Sequence, residues 1–421
     1  MNNKMLALVA VVIIAVAAIS VVTLTGGNDE KTYRSENSEG RLLIMGNANN
    51  DDYLDKEDVT TIQKIIDEKF DWKTLYPLAD ANNDKVVDQK DIDMVEKMID
   101  REPMTINYAY LNGNELVIDS IQYPVKNILV VGDNVALSLK SICAGPLIKG
   151  IALSNPEDPI YSDLKSVPSI KGASTTVPSI SLISNVADKD SVLVTSTSSR
   201  YVTNETEIEK SNVPVLRFNV DGGESGLESI NGILTIGYLL QKEEAANNYV
   251  RFCDDILNTV KEKTAGLTKK TLIATNRTSN VSGLSSEYYQ IPVLAGGKNV
   301  ISKDEMRTSF KPGDDWLYEY DFQYIIHSTS LGYSNIDEKK QYNTYIENFK
   351  DLQASKDGNF VLVNANVPAP IRVAYIASVL YPDEIGADYG AQMHQKFIDE
   401  YMVNLSGEYD VQKDGSFVIR S

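Results

Sequence analysis

The sequence predicts an α/β protein in which two parallel-sheet lobes are joined by a long helix, preceded by a small all-α module and an N-terminal transmembrane helix. Three observations carry that prediction. Short apolar runs of strand length alternate with helix-period segments from Asn127 onward, the pattern of parallel strands linked by crossover helices. The period stays helical from Leu227 to Lys263, with Ile230, Ile233, Leu234, Leu239, Leu240, Val250, Cys253, Ile256, Leu257 and Val260 on the apolar side. An oxygen-rich loop of twelve residues occurs twice, each time followed by an amphipathic helix.

The first element is the apolar run Met5–Leu24, preceded by Lys4. At about 1.5 Å per residue it matches the roughly 30 Å of a bilayer core. Residues 1–27 are expected to be an uncleaved anchor. A signal peptide cut near Ala15–Ser20 is the alternative, although the apolar run continues past that point. Either reading places residues 28–421 outside the cytoplasm, beginning with a polar tether over 28–41.

The paired loops follow. Positions 1, 3, 5, 7, 9 and 12 are Asn47, Asn49, Asp51, the Tyr53 carbonyl, Asp55 and Asp58 in the first, and Asp80, Asn82, Asp84, the Val86 carbonyl, Asp88 and Asp91 in the second, 33 residues on. That spacing wraps a hard cation in carboxylates, amides and one backbone carbonyl, and it predicts up to two calcium ions. Position 6, usually glycine for a turn at positive φ, is Asp52 or Lys85, at a cost of about 1 kcal/mol. Asn47 lacks the charge that Asp80 supplies, so the second site is expected to bind more tightly. The competing reading is a solvated acidic loop that binds nothing. Loop, helix, linker, loop, helix resembles an EF-hand-like dockerin module over residues 42–102, which implies a cohesin-like protein partner.

Composition narrows the function. With 59 acidic against 40 basic residues the net charge is −19, which excludes nucleic acid as a partner and suits an extracellular surface. Cys143 and Cys253 lie in apolar, helix-like contexts and read as buried small hydrophobes, with a disulfide permitted in this compartment. Sequons occur at Asn204, Asn276, Asn280 and Asn404. No nucleophile elbow, zinc-protease motif or phosphate-binding glycine loop is present, and two histidines are too few for an ordinary triad, so no enzyme is predicted.

Residues 103–126 form a lead-in, with Thr105–Tyr110 and Glu115–Asp119 alternating about Asn112-Gly113 as a hairpin. The first lobe, 127–226, has strands at Asn127–Gly132, Leu147–Ala152, Ser191–Ser196 and Val213–Asn219, with a helix over Asn134–Ala144. The joining helix occupies 227–266. The second lobe, 267–421, has strands at Thr271–Thr275, Ile291–Leu294, Tyr324–His327 and Asn359–Val363, and helices at Arg372–Leu380 and Gln392–Met402.

Ligands of open parallel sheets lie beyond the carboxyl ends of the strands. That selects Gly132–Asn134, Gly172–Ser174, Ser196–Tyr201, Asn276–Thr278, His327–Ser330 and Asn364–Asn366, and within them Asn134, Ser174, Arg200, Tyr201, Asn276, Arg277, His327 and Ser330 as ligand-binding candidates. Arg200 and Arg277, from opposite lobes, can clamp carboxylates or phosphate with planar donor forks; the alternative is a pair of solvated surface charges. Tyr201, Tyr288, Tyr289 and Tyr324 are candidate aromatic walls. His327 is placed to touch a ligand, with a hydrogen-bonded structural role as its alternative, and His394 is expected to be exposed. Two histidines and no cysteine cluster argue against capture of a bare transition metal.

Five segments, Ile128–Asn134, Val167–Ser174, Asp190–Ser198, Ile291–Ile301 and Ala377–Glu384, follow in the order of ABC-transporter solute-binding proteins of the iron-siderophore, haem and cobalamin class, which the chain resembles from 127 to 421. The resemblance implies a membrane-tethered extracellular receptor that captures a chelated-iron, haem or corrinoid-like ligand between two lobes for an ABC permease and ATPase, with small lobe closure. The competing class is a cell-surface scaffold that docks a cohesin through the calcium module.

Overall fold

The computed structural model describes residues 41–420 apart from 70, 113, 114, 221–227, 278, 285, 302–308, 310 and 312–315. The predicted anchor and the tether up to residue 40 lie outside the described residues, among which no helix is long and apolar enough to cross a membrane. The chain forms two compact units, the first running to Ser154 with Val167–Val220 and Ile230–Asn247, the second comprising Asn155–Ser166 and Asn248 onward.

The first unit opens with helices α1 (Lys56–Glu68) and α2 (Gln89–Ile99), each springing from the end of an acidic loop. Asp55 and Asp88 are their N-caps, and Asp58 and Asp91 complete a capping box in each, so loop positions 9 and 12 also terminate a helix. Ile62 and Ile65 of α1 pack on Ile92 and Val95 of α2 around Ala48, Ala79 and Ala81. The hairpin follows as β1 (Met104–Asn112) and β2 (Glu115–Tyr123), paired antiparallel with Asn112 opposite Glu115; its expected turn at Asn112-Gly113 falls partly outside the described residues.

The loop module shares backbone pairing and a buried cluster with the hairpin that follows it. Residues just before the first loop pair with β1: the Ala109 amide donates to the Leu43 carbonyl (2.8 Å) and the Met45 amide to the Asn107 carbonyl (3.0 Å). Leu43, Met45 and Leu78 then share one buried cluster with Ala109 of β1, and Leu116 and Ile118 of β2 pack against it.

Beyond the hairpin come β3 (Asn127–Val131), α3 (Asp133–Ser141), β4 (Ile148–Ala152), the two-stranded β5 (Lys171–Ser174) and β6 (Val177–Pro178), α4 (Ile180–Val186), β7 (Ser191–Ser196), α5 (Glu205–Glu209), β8 (Val215–Phe218) and α6 (Glu228–Leu239). The main sheet is fully parallel in the order β4-β3-β7-β8. All four strands appear where the apolar runs placed them. Gly172 permits the tight β5–β6 turn, since a Cβ there would lie 2.4 Å from the Val177 carbonyl oxygen.

The single long helix expected over 227–266 is instead two, α6 and α7 (Glu243–Thr264). Gln241 adopts φ +53°, the Lys242 amide donates to the Gly237 carbonyl (2.7 Å) and the Gln241 amide to the Tyr238 carbonyl (3.1 Å), a Schellman stop. Apolar periodicity passes through this break because both helices bury a face, so the pattern alone does not mark it.

In the second unit α7 is followed by β9 (Thr271–Asn276), β10 (Asn280–Val281), α8 (Glu287–Leu294), β11 (Lys298–Asn299), β12 (Tyr324–Thr329), α9 (Glu338–Ile346), β13 (Phe360–Asn364), α10 (Ala369–Leu380), α11 (Tyr389–Tyr401) and β14 (Val418–Ile419). The sheet runs β10-β9-β12-β13-β14, with β9, β12 and β13 parallel and β11 on β9. Ile291–Leu294, expected as a strand, is helical because Ser286 caps α8 through the Tyr288 amide. The segment 155–166, within the expected first lobe, belongs to the second unit: Asp158 accepts the Tyr333 amide (2.9 Å), and Asn404 donates to the Pro159 carbonyl (3.2 Å).

Cys253 is buried as expected, whereas Cys143 is exposed at φ +58°, and the two are not joined by a disulfide. Three sequon asparagines, Asn204, Asn276 and Asn404, donate Nδ2, the atom a glycan would substitute, to the Pro178 carbonyl, the Ser282 hydroxyl and the Pro159 carbonyl.

Deleting residues 42–102 strips the Leu43 and Met45 side from the hairpin. The truncated chain is expected to lose cooperative melting of the first unit by circular dichroism and to elute as aggregate; a monomer with an unchanged melt would show the module to be independent after all.

Candidate functional site

In the first unit the predicted loops gather at the carboxyl edge of the sheet. Gly132 ends β3 at φ +115°, and the Tyr201 ring lies 3.5 Å from where a Cβ on that glycine would stand. Asp133 accepts the Ser154 amide (2.7 Å), tying the loop after β3 to the loop after β4. The Val202 amide donates to the Thr176 carbonyl (2.7 Å), which brings the β5–β6 turn and Ser174 alongside. Ser174 is half-buried and bonds Thr176 through its hydroxyl (3.0 Å), and Asn134 is half-buried in the first turn of α3. Arg200 is exposed and lies over its neighbour Tyr201 (5.1 Å). Asn134, Ser174, Arg200 and Tyr201 therefore share one edge.

Two residues that sequence reasoning missed build that edge. Arg217 of β8 donates to the carbonyls of Ser196 (2.9 Å) and Tyr201 (3.2 Å) and pairs with Glu205 (2.6 Å), so one nearly buried guanidinium organises the whole loop after β7. Asn219, just past β8, donates to the Leu111 carbonyl (2.8 Å) and accepts the Leu111 amide (3.0 Å), fastening the edge to β1. An Arg in the middle of an apolar strand was the available signal for the first; nothing local marks the second.

The second unit gathers its own strand-end loops. Asn364, fully buried at the end of β13, accepts the Leu331 amide (3.1 Å) and donates to the Gly332 carbonyl (2.6 Å), and Asn366 accepts the Gly332 amide (3.0 Å). These bonds join the loops after β12 and β13, beside exposed Ser330. Asn276 is buried and bonded to Ser282 (3.1 Å), closing the return into β10, so it serves the turn; Arg277, at φ +53°, is exposed.

Both histidines are structural. His327 sits inside β12, fully buried, with Nδ1 2.9 Å from the Thr275 hydroxyl and its ring among Tyr345, Phe349 and Phe360; burial pushes its pKa down to about 4. His394, expected at the surface, is fully buried between the hydroxyls of Tyr375 (3.1 Å) and Tyr333 (3.3 Å), and burial pushes it down to about 3. Helical position alone does not reveal that α11 turns this face to the core. Of the tyrosines, Tyr324 begins β12 at the wrong end of the sheet, Tyr289 is buried and donates to the Ile301 carbonyl (3.1 Å), and Tyr288 lies near Arg372 (5.9 Å). Arg372 and Glu287 form a buried ion pair (2.7 Å) that the sequence did not disclose. A cavity of ≈ 390 Å³ among Lys269, Tyr289, Gln290, Lys298 and Asn299 lies by the amino end of β9, away from the strand-end loops.

The acidic loops fold in the predicted register. In the second, Asp80 accepts the amides of Asp84 (3.0 Å) and Lys85 (2.8 Å), Asn82 accepts that of Asp84 (2.8 Å), Asp84 that of Val86 (3.0 Å), and Asp91 those of Asn82 (3.2 Å) and Asp88 (2.8 Å). Lys85 takes the position-6 turn at φ +74° without glycine. In the first, Asp51 accepts the Tyr53 amide (2.8 Å) and Asp58 those of Asn49 (3.1 Å) and Asp55 (2.8 Å), while Asn47 donates to the Leu42 and Asp51 carbonyls (both 2.8 Å). Asp52 has no positive φ; both it and Arg41 are buried and ion-paired. Among the described residues no three His, Cys, Asp or Glu side chains form a ready-made metal cluster, amides supplying part of each ring. The donor set still fits a hard cation: a carboxylate has about four lone-pair directions, so accepting one or two amides leaves others free. Asp58 and Asp91 are fully buried, and burial raises both, Asp58 to about 8, a penalty that a cation in the loop would relieve.

No family profile matches the chain, and no curated protein matches it. Solved structures do. It is similar to the TroA-like periplasmic binding protein FepB of Veillonella parvula (TM-score 0.55, 15% identity, 72% of this chain and 97% of that one). It is also similar to the molybdate periplasmic binding protein MolA of Haemophilus influenzae (0.54, 14%, 68% and 95%) and to CeuE of Helicobacter pylori in a Ni-His complex (0.53, 13%, 72% and 97%). The chain thus has the α/β fold of these periplasmic binding proteins.

Between pH 8 and 5 an unfolded chain protonates both imidazoles while the folded chain, with pKa values of about 4 and 3, does not. Stability present above pH 6.5 is therefore lost as the pH falls, by about 2 kcal/mol per histidine at pH 5. Asp58, raised to about 8, works in the opposite direction over the same range, so the histidine contribution is read by difference: between pH 7.5 and 5.0 the change in urea-unfolding stability of His394→Gln should be more favourable than that of the unsubstituted chain by about 2 kcal/mol, and equal changes in both proteins would contradict the assignment.

Proposed function

We propose that this protein is the extracellular, membrane-tethered solute receptor of an ABC importer, its ligand read by the strand-end loops at the carboxyl edge of the first unit's sheet. The observation that carries the reading is the first unit's carboxyl edge, where Asn134, Ser174, Arg200 and Tyr201 stand on loops organised by Arg217 within a solute-binding fold. Arg200, exposed on that edge, supplies donors for an anionic ligand, which favours a ferric chelate, or the carboxylates and amides of haem or a corrinoid. Thermal-shift and equilibrium-dialysis measurements with ferric siderophores, haem and cobalamins should find a binder, with affinity at least tenfold weaker in Arg200→Ala; no binding to an intact fold across all three classes would refute the ligand class.

The acidic loops are proposed as calcium sites of a dockerin-like module. The second is the tighter, because Asp80 supplies a charge where Asn47 does not and Lys85 already holds the position-6 turn. Calorimetric titration should resolve this order, with Asp84→Ala removing the stronger event and Asp51→Ala the weaker. Docking of a cohesin-like partner through the module is the competing use. The core shared with the hairpin favours a structural task first.

A further inference from the structure

We infer that calcium in the second loop acts as an effector of the receptor's ligand-reading edge, transmitted along β1 from Ala81 to Asn219. The inference rests on the calcium reading above and extends it from a local site to the regulation of the first unit. Ala81 lies between loop positions 1 and 3, and its carbonyl accepts Nδ2 of Asn107 (2.9 Å), a β1 residue. One residue on, the Tyr108 hydroxyl accepts the Arg217 amide (3.4 Å), and four residues on, Leu111 exchanges two hydrogen bonds with Asn219. Arg217 holds Ser196 and Tyr201, and Asn219 reaches Thr197 (3.4 Å), so the loop after β7 hangs from the strand that grips the second calcium loop.

A second connection leaves the other end of the same loop–helix unit. α2 begins at position 9 of the second loop, and its Met98 carbonyl accepts the Tyr238 hydroxyl of α6 (3.1 Å). Tyr238 stacks on Tyr123 at the end of β2 (5.4 Å, 16° between planes), and Arg101 pairs with Glu243 (3.5 Å). The Leu43 amide donates to the Thr235 hydroxyl (3.0 Å). The loops and helices α1 and α2 are thus gripped by β1 and by α6, and Leu43, Met98, Tyr123, Thr235 and Tyr238 among these partners are buried. A cation that fixes the second loop fixes the partners of Asn107 and Tyr238 together, and opening the hairpin must release both. Binding to the closed form alone therefore lowers the population of every opening that breaks those contacts.

The experiment is hydrogen exchange on the full chain in chelator and in calcium chloride at about 100 times the dissociation constant measured by calorimetry. Protection should rise about 100-fold in residues 79–99, and by a comparable factor in 104–112 and 196–205. A rise confined to the loops and their helices, with calcium demonstrably bound, would overturn the coupling and leave the calcium sites standing. Absence of calcium binding in the titration would overturn both. Asn107→Ala and Tyr238→Phe, neither a calcium ligand, should keep the calcium stoichiometry while the rise in 104–112 and 196–205 falls at least tenfold; an unchanged rise in both variants would sink the proposed route.

Discussion

The first unit depends on a short piece of backbone pairing that no helix or sheet of the expected architecture contains. Leu43 and Met45 use their main-chain groups on Ala109 and Asn107, and their side chains fill a cluster that β1 and β2 cannot close alone. An isolated two-stranded hairpin is marginal in water, so an added extended segment with a buried face is what makes it a stable floor. Once that floor exists, β1 is free to carry polar cross-links on both sides, to the second acidic loop through Asn107 and to the carboxyl edge of the main sheet through Tyr108 and Leu111.

Much of this architecture was legible because buried parallel strands write themselves as apolar runs. Asn127–Val131, Ser191–Ser196 and Phe360–Asn364 are buried along nearly their whole length, so apolar residues occupy successive positions on both faces and mark where each strand ends. Where one signal had to do two jobs it failed. Apolar period ran unbroken through Gln241 although the backbone stops there, and the four residues Ile291–Leu294 are too few to separate strand from helix when the deciding residue, Ser286, lies outside them.

The site divides along the same line. Loop positions follow from strand ends, and the acidic loops from side-chain spacing, because both are local. What holds the loops in place is not local: Arg217, Asn219 and Asn364 act on carbonyls and amides far away in sequence, and their meaning exists only after the sheet forms. His394 is the sharpest case. Three residues from Phe397 on one helix, it belongs to an aromatic core with Tyr333 and Phe417 that comes from three separate stretches of chain.

With both imidazoles sealed in the interior, the described surface has no histidine to titrate between about pH 5 and 8. An outward face dominated by carboxylates and lysines keeps the same sign across that range, so the pull it exerts on divalent cations and on basic partners is set by salt rather than by acidity. A surface of this kind responds to ionic strength far more than to mild swings of pH, and what acidity changes in the described residues lies in the buried core.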